Sequence, residues 1–226
     1  MIDSIEFLAR SGEAASGELA LAKNVSRAPG VIVMHEWWGL NEHIQSVLER
    51  LAQAGFAAMA PDLFHGVSTK DPARARSMMN GLDWSKAIDE VSGAASYLKT
   101  HPRVNGHVGI MGFCMGGALT LACGAKISEF EAVVPFYGIP PKEQVDYRHM
   151  KAPIQAHFSQ RDEWAKPELA QELQQEIKSN GGHMELHLYN AEHAFFNDTR
   201  PEVYSAENAQ LAWDRTVEFL RKALSR

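Results

Sequence analysis

The chain has 226 residues, 45% of them apolar and 22% charged, an ordinary balance for a globular protein, most simply a single domain over residues 1–226. Twenty-two basic against 28 acidic residues give a formal charge of −6, which argues against phosphate-backbone binding and so against nucleic acid as a partner. No stretch approaches the roughly 20 apolar residues of a membrane helix, and MIDSIEFLARSG lacks a basic segment followed by a long apolar run, so a cytoplasmic protein without a membrane partner is expected.

Two alternating runs, residues 5–9 and 18–22, are separated by Gly12 and Gly17 and predict an opening antiparallel hairpin. The alternation then stops. Residues 30–34 (GVIVM), 56–60 (FAAMA), 107–111 (HVGIM), 132–136 (AVVPF) and 154–158 (IQAHF) are short and largely apolar, as expected of strands covered on both faces, and residues 184–189 (MELHLY) add a more alternating one. Between them lie helical patterns. The clearest covers residues 41–54, where Ile44, Val47, Leu48 and Leu51 recur at helical spacing between an Asn41 N-cap and Gly55. Others follow at Ile88, Val91, Ala95 and Leu98, after Cys114, over 168–177 and over 209–224. Residues 63–83 carry no clear pattern and are long enough to cover a site. Strands alternating with helices predict an α/β fold, a mostly parallel sheet flanked by helices on both faces.

Within this order, residues 108–120 read VGIMGFCMGGALT: strand, sharp turn, helix. Gly112-Phe113-Cys114-Met115-Gly116 fits the G-x-S-x-G nucleophile elbow of the α/β-hydrolase fold with cysteine in place of serine. The turn would expose the sulfur at a helix N-terminus, where unpaired backbone N–H groups stabilise negative charge and can hold an oxyanion. Taken alone, the motif equally fits a packing turn around a small buried residue. A thiol nucleophile needs a base and an orienting acid, and both stand just past later strands: Asp162 in SQRDEW and His193 in AEHAFF. The chain order Cys114, Asp162, His193 is the nucleophile, acid, histidine order of α/β-hydrolases.

A fourth element follows the first parallel strand, in His35-Glu36-Trp37-Trp38-Gly39-Leu40. That loop is expected to supply a second oxyanion N–H from Trp37, beside the one from Met115. Glu36 is unusual, because a carboxylate beside a Trp-Trp pair is costly unless paired or protonated. It suggests a group that hydrogen-bonds or deprotonates the thiol; a salt bridge or helix cap is the plainer alternative. Gly39 stands where H-E-x-x-H would place its second histidine, so no zinc signature is present and a metal is not required.

At these residues the sequence resembles the dienelactone hydrolase (carboxymethylenebutenolidase) family of α/β-hydrolases. The resemblance runs through GVIVMHEWWGLNEHI, GFAAMAPDLF, VNGHVGIMGFCMGGALTLA, SQRDEW and AEHAFFND to the terminal helix. Glu36 in H-E-x-x-G and Cys114 in G-F-C-x-G-G are its most distinctive elements. It implies an eight-stranded sheet, no cofactor, and hydrolysis of a small lactone or enol ester bearing a carboxylate. It further implies that Glu36 meets the thiol in the resting enzyme, that substrate releases this contact, and that a thiolate then pairs with His193 and forms a thioester.

The family's dienelactone enzymes also hold the substrate carboxylate with two arginines. Here Arg74 or Arg76 lies in the region of one, while Asn197 stands at the expected position of the other and Arg200 comes three residues later. Trp38 and Phe195, with Trp37, Phe64 and Trp164, are candidates for an apolar pocket, although aromatic residues more often fill a core. Cys123 reads as core. Two other functions fit the same residues: a general carboxylesterase or thioesterase taking uncharged acyl groups, and a ligand-binding or thiol-redox module without catalysis.

Overall fold

The computed structural model describes residues 1–23 and 25–225. Its strands are β1 (Ile2–Leu8), β2 (Ala14–Ala20), β3 (Ala28–Met34), β4 (Ala57–Pro61), β5 (Val104–Phe113), β6 (Phe130–Phe136), β7 (Ile154–Arg161) and β8 (Met184–Glu192). They form one eight-stranded sheet in the order β1-β2-β4-β3-β5-β6-β7-β8. β2 pairs antiparallel with both β1 and β4, and every other neighbouring pair runs parallel. The helices are α1 (Glu42–Gln53), α2 (Pro72–Asn80), α3 (Trp84–Thr100), α4 (Met115–Lys126), α5 (Pro167–Ser179) and α6 (Ala206–Leu224). Among the described residues, no helix is long and apolar enough to cross a membrane.

The strands read as apolar runs because both faces are covered. Along β3, Ile32 and Met34 join the layer packed by α3, α4 and α5, whereas Val31 and Val33 join the layer packed by α1 and α6. α1 starts where the sequence predicts, its Asn41 side chain accepting the Ile44 N–H at 3.4 Å.

Two expectations need correction. Gly17 lies inside β2, not in the hairpin turn: a methyl there would stand 2.4 Å from the Ala60 carbonyl oxygen, so the glycine serves the close pairing of β2 with β4. Residues 63–83 contain α2, capped by Asp71 and opened by Pro72. Ala75 is its one buried residue, so the helix leaves no apolar stripe for a sequence pattern to register.

A polar cluster lies under α6. His157 is fully buried, stacked on Phe136 at 4.5 Å, with Nδ1 2.8 Å from the Tyr189 hydroxyl and Nε2 3.1 Å from Thr216 Oγ1. Arg215 donates to the same Tyr189 oxygen at 3.1 Å, so that hydroxyl turns its proton to Nδ1 and His157 is held neutral. Burial, with His187 and Arg215 nearby, holds its pKa well below the usual 6.5. Since the unfolded chain binds this proton more readily, the stability is complete above about pH 6.5 and is lost as pH falls from there, at about 1.4 kcal/mol per pH unit. Thermal melts taken from about pH 7.5 to about pH 5 should show Tm falling, with a shallower fall in His157→Gln.

Candidate active site

Five parallel strands deliver polar groups to the sheet's carboxyl edge, where α/β folds gather ligands. β3 runs into His35, Glu36 and Trp37, β5 into Cys114, β6 into Tyr137, β7 into Asp162, and β8 into His193. Cys114 takes φ 55° and ψ −116°, a conformation that L residues rarely adopt. The turn is pinned from both sides, the Cys114 N–H donating to Phe136 O at 3.1 Å and its carbonyl accepting from the Ala118 N–H at 3.0 Å. Gly116 must be glycine here, because a methyl would lie 2.4 Å from Met34 O and 2.5 Å from His35 O. Among the described residues, no acceptor takes the N–H of Trp37 or of Met115.

The loop after β3 is fixed by His35, fully buried, with Nδ1 2.7 Å from Glu36 O and Nε2 accepting the Leu63 N–H at 3.2 Å. Burial lowers the His35 pKa, consistent with a neutral ring in that structural role.

His193 Nδ1 stands 2.7 Å from Asp162 Oδ2. Asp162 Oδ1 accepts the N–H groups of Trp164 at 2.8 Å and Ala165 at 2.9 Å. Burial works against the carboxylate's charge, but His193 and these two donors outweigh it and lower the Asp162 pKa. For His193, burial again opposes charge, yet the Asp162 hydrogen bond and the neighbouring Cys114 sulfur push the ring up to about 10. The structure thus brings Cys114, His193 and Asp162 together as the sequence order predicts.

Glu36 lines the same cavity as Cys114 and is held there by an amide. Its Oε2 accepts from Asn197 Nδ2 at 2.6 Å, and both residues are buried. The Asn197 amide is oriented by its own acceptors: Oδ1 takes the Thr199 N–H at 3.1 Å and hydroxyl at 2.7 Å, which leaves Nδ2 for Glu36. Asn197 therefore supports Glu36 and is not among the walls of the cavity over the thiol.

That cavity has a volume of about 340 Å³, and Glu36, Trp37, Trp38, Cys114, His193 and Arg200 all line it. Arg74 is exposed on α2 and does not reach it; Arg76 is also exposed, its guanidinium 5.8 Å from the Trp164 ring. Phe195 is fully buried between Tyr137 and Tyr189, and Phe64 packs on His35, so both are core and not cavity wall. Cys123 is buried too, its thiol pushed up to about 12 by burial. Among the described residues, no group of three or more His, Cys, Asp or Glu side chains is placed to hold a metal ion.

Sequence reasoning missed Arg161, Glu192 and Met79, which also line the cavity, and Tyr137 beneath it. The Tyr137 ring meets His193 edge-on at 5.1 Å, and its buried hydroxyl has no hydrogen-bond partner. Burial, then the negative neighbours Glu36 and Cys114, raise its pKa well above 10, so the proton stays on. The usable signal was Gly138, the next residue, which allows the chain leaving β6 to pass close to the Cys114 carbonyl.

If Asn197 is what satisfies Glu36, removing it strands a buried carboxylate. Asn197→Leu should cost about 2–4 kcal/mol in urea unfolding, and the double variant with Glu36→Leu should recover at least about 1.5 kcal/mol of the summed single losses.

A family model described as the dienelactone hydrolase family matches residues 16–224. "Protein usf" of Aquifex pyrophilus is 35% identical over 211 residues, covering 87% of this chain and 89% of that protein. The carboxymethylenebutenolidase of Pseudomonas sp. (strain P51) is 29% identical over 206 residues, covering 87% and 85%. Among solved structures, a dienelactone hydrolase-like promiscuous phosphotriesterase from metagenomic libraries superposes with a TM-score of 0.86 over 98% of each chain at 22% identity, a likeness of fold.

Proposed function

The chain belongs to the dienelactone hydrolase family, and from that premise we propose that it is a cysteine-dependent hydrolase of small lactones, enol esters or related carboxylic esters. We take residues 1–226 as one catalytic domain, acting in the cytoplasm on a small molecule. The observation that carries the proposal is the Asp162–His193 pair at 2.7 Å with the Cys114 sulfur beside the ring.

Cys114 Sγ, its proton held by His193, attacks the ester carbonyl carbon, and the resulting oxyanion is held by the N–H groups of Trp37 and Met115. The C–O bond then breaks, the leaving oxygen takes the proton from His193, and a thioester remains on Cys114. Water adds to that thioester as His193 accepts its proton; the C–S bond breaks, the acid departs, and the resting pair is restored. Asp162 fixes the ring and favours its charged form throughout.

A panel of lactones, enol esters and simple aryl esters should be turned over by the native protein and lost with Cys114→Ala; undiminished turnover by that variant would overturn the proposal. Asp162→Asn should lower kcat by about 10³ to 10⁴. The pH profile carries a second expectation. His193 gives up its proton as pH rises through about 10, so kcat/KM of the native enzyme should fall there. Without the Asp162 charge, that alkaline limb moves to lower pH in Asp162→Asn.

A further inference from the structure

Three tryptophans stand around the cavity over Cys114. Trp37 meets Trp38 at 4.9 Å and 65°, and Trp164 at 6.3 Å and 62°, edge-to-face contacts. Trp164 is 63% exposed although it belongs to the turn whose N–H groups hold Asp162. A large aromatic side chain left open at the rim of a catalytic cavity is a surface waiting for an apolar group.

The cations lining the same cavity are already paired with carboxylates. Arg200 donates through Nε to Glu202 at 2.8 Å and lies 5.6 Å over the Trp38 ring. Arg161 donates to Glu192 at 2.5 Å and to Asn190. Glu36 has only the neutral amide of Asn197, and the exposed Glu163 has its nearest cation, Lys166, 4.0 Å away. Three cations, Arg161, Arg200 and the His193 ring, thus face Glu36, Glu163 and Glu192, with Asp162 behind His193 and Glu202 behind Arg200. A substrate carboxylate entering here must share an arginine with a protein carboxylate or sit unpaired among like charges. Arg76 is the nearby cation without such a partner, but it is exposed and screened by water.

We propose that this site selects uncharged esters carrying a flat aromatic group, seated between Trp38 and Trp164, and disfavours esters with a carboxylate near the reacting bond. This rests on the hydrolase function proposed above. It departs from the carboxylate-bearing lactone that the sequence resemblance implies, because an amide, Asn197, stands where the resemblance expects an arginine and Arg200 is already paired with Glu202.

The test compares phenyl acetate with its ring-carboxylated counterpart 4-acetoxybenzoate, each kcat/KM divided by the rate of hydroxide hydrolysis. The neutral ester should be favoured by at least about tenfold. Glu202→Gln frees Arg200 and should raise kcat/KM for 4-acetoxybenzoate by about three- to tenfold while leaving phenyl acetate within about twofold. Trp164→Ala should lower kcat/KM for phenyl acetate by about fivefold relative to that for methyl acetate, the loss appearing mainly in KM. Equal normalised rates for the two esters, or a preference for the charged one, overturn the selectivity. Cys114→Ala separates the two levels: if it abolishes both reactions while the native enzyme fails to discriminate, the hydrolase stands and the selectivity falls; if it leaves both intact, both fall.

Discussion

The site depends on one strained turn. Cys114 is held at φ 55° only because its N–H is fixed to the end of β6, its carbonyl to the first turn of α4, and Gly116 lets the β3 strand end lie against that helix. Those contacts also determine what surrounds the sulfur. Parallel strands end on the same edge of the sheet, so fixing β5 against β3 and β6 brings the Glu36 loop, Tyr137 and, one and two strands further on, Asp162 and His193 into one group. The strain is local and its support is distributed over three elements.

The same helix carries two thiols with different fates. Cys123 faces the apolar layer, where burial favours the neutral form and leaves nothing to react with. Cys114 stands at the helix N-terminus beside a ring that Asp162 keeps charged. Two carboxylates divide in the same way: Asp162 has three donors, one of them the charged ring of His193, whereas Glu36 is held by a single neutral amide. Residue type alone predicts none of these differences; the donors around each group do.

Much of this was legible in the sequence, for identifiable reasons. The apolar runs of β3 to β7 announce a sheet covered on both faces, and the triad order is readable because each member sits immediately past a strand end. Helix α2 was not legible, since a helix that buries only Ala75 has no stripe. Nor were Phe195 and Arg74 correctly placed. Two residues past His193, the chain has already turned inward to pack on Tyr189, and Arg74 differs from its neighbour Arg76 only in which side of an exposed helix it occupies. Tyr137, Arg161 and Glu192 come from strands whose adjacency the sheet order fixes and the chain order does not.

Asn197 links the resting site to the choice of substrate. Had that position been a cation, Glu36 would sit in a charge-balanced pair, and a substrate anion could compete for the cation. With an amide whose oxygen is already committed to Thr199, Glu36 is held by a neutral donor and its charge remains in the cavity. On the mechanism proposed, two things follow from that one side chain. Glu36 keeps its place through a partner that brings no charge of its own. The cavity's balance is tipped to the negative side, and binding must come from the tryptophan surfaces, which attract flat apolar groups without regard to charge. On that proposal, anion recognition is traded for contact with aromatic faces.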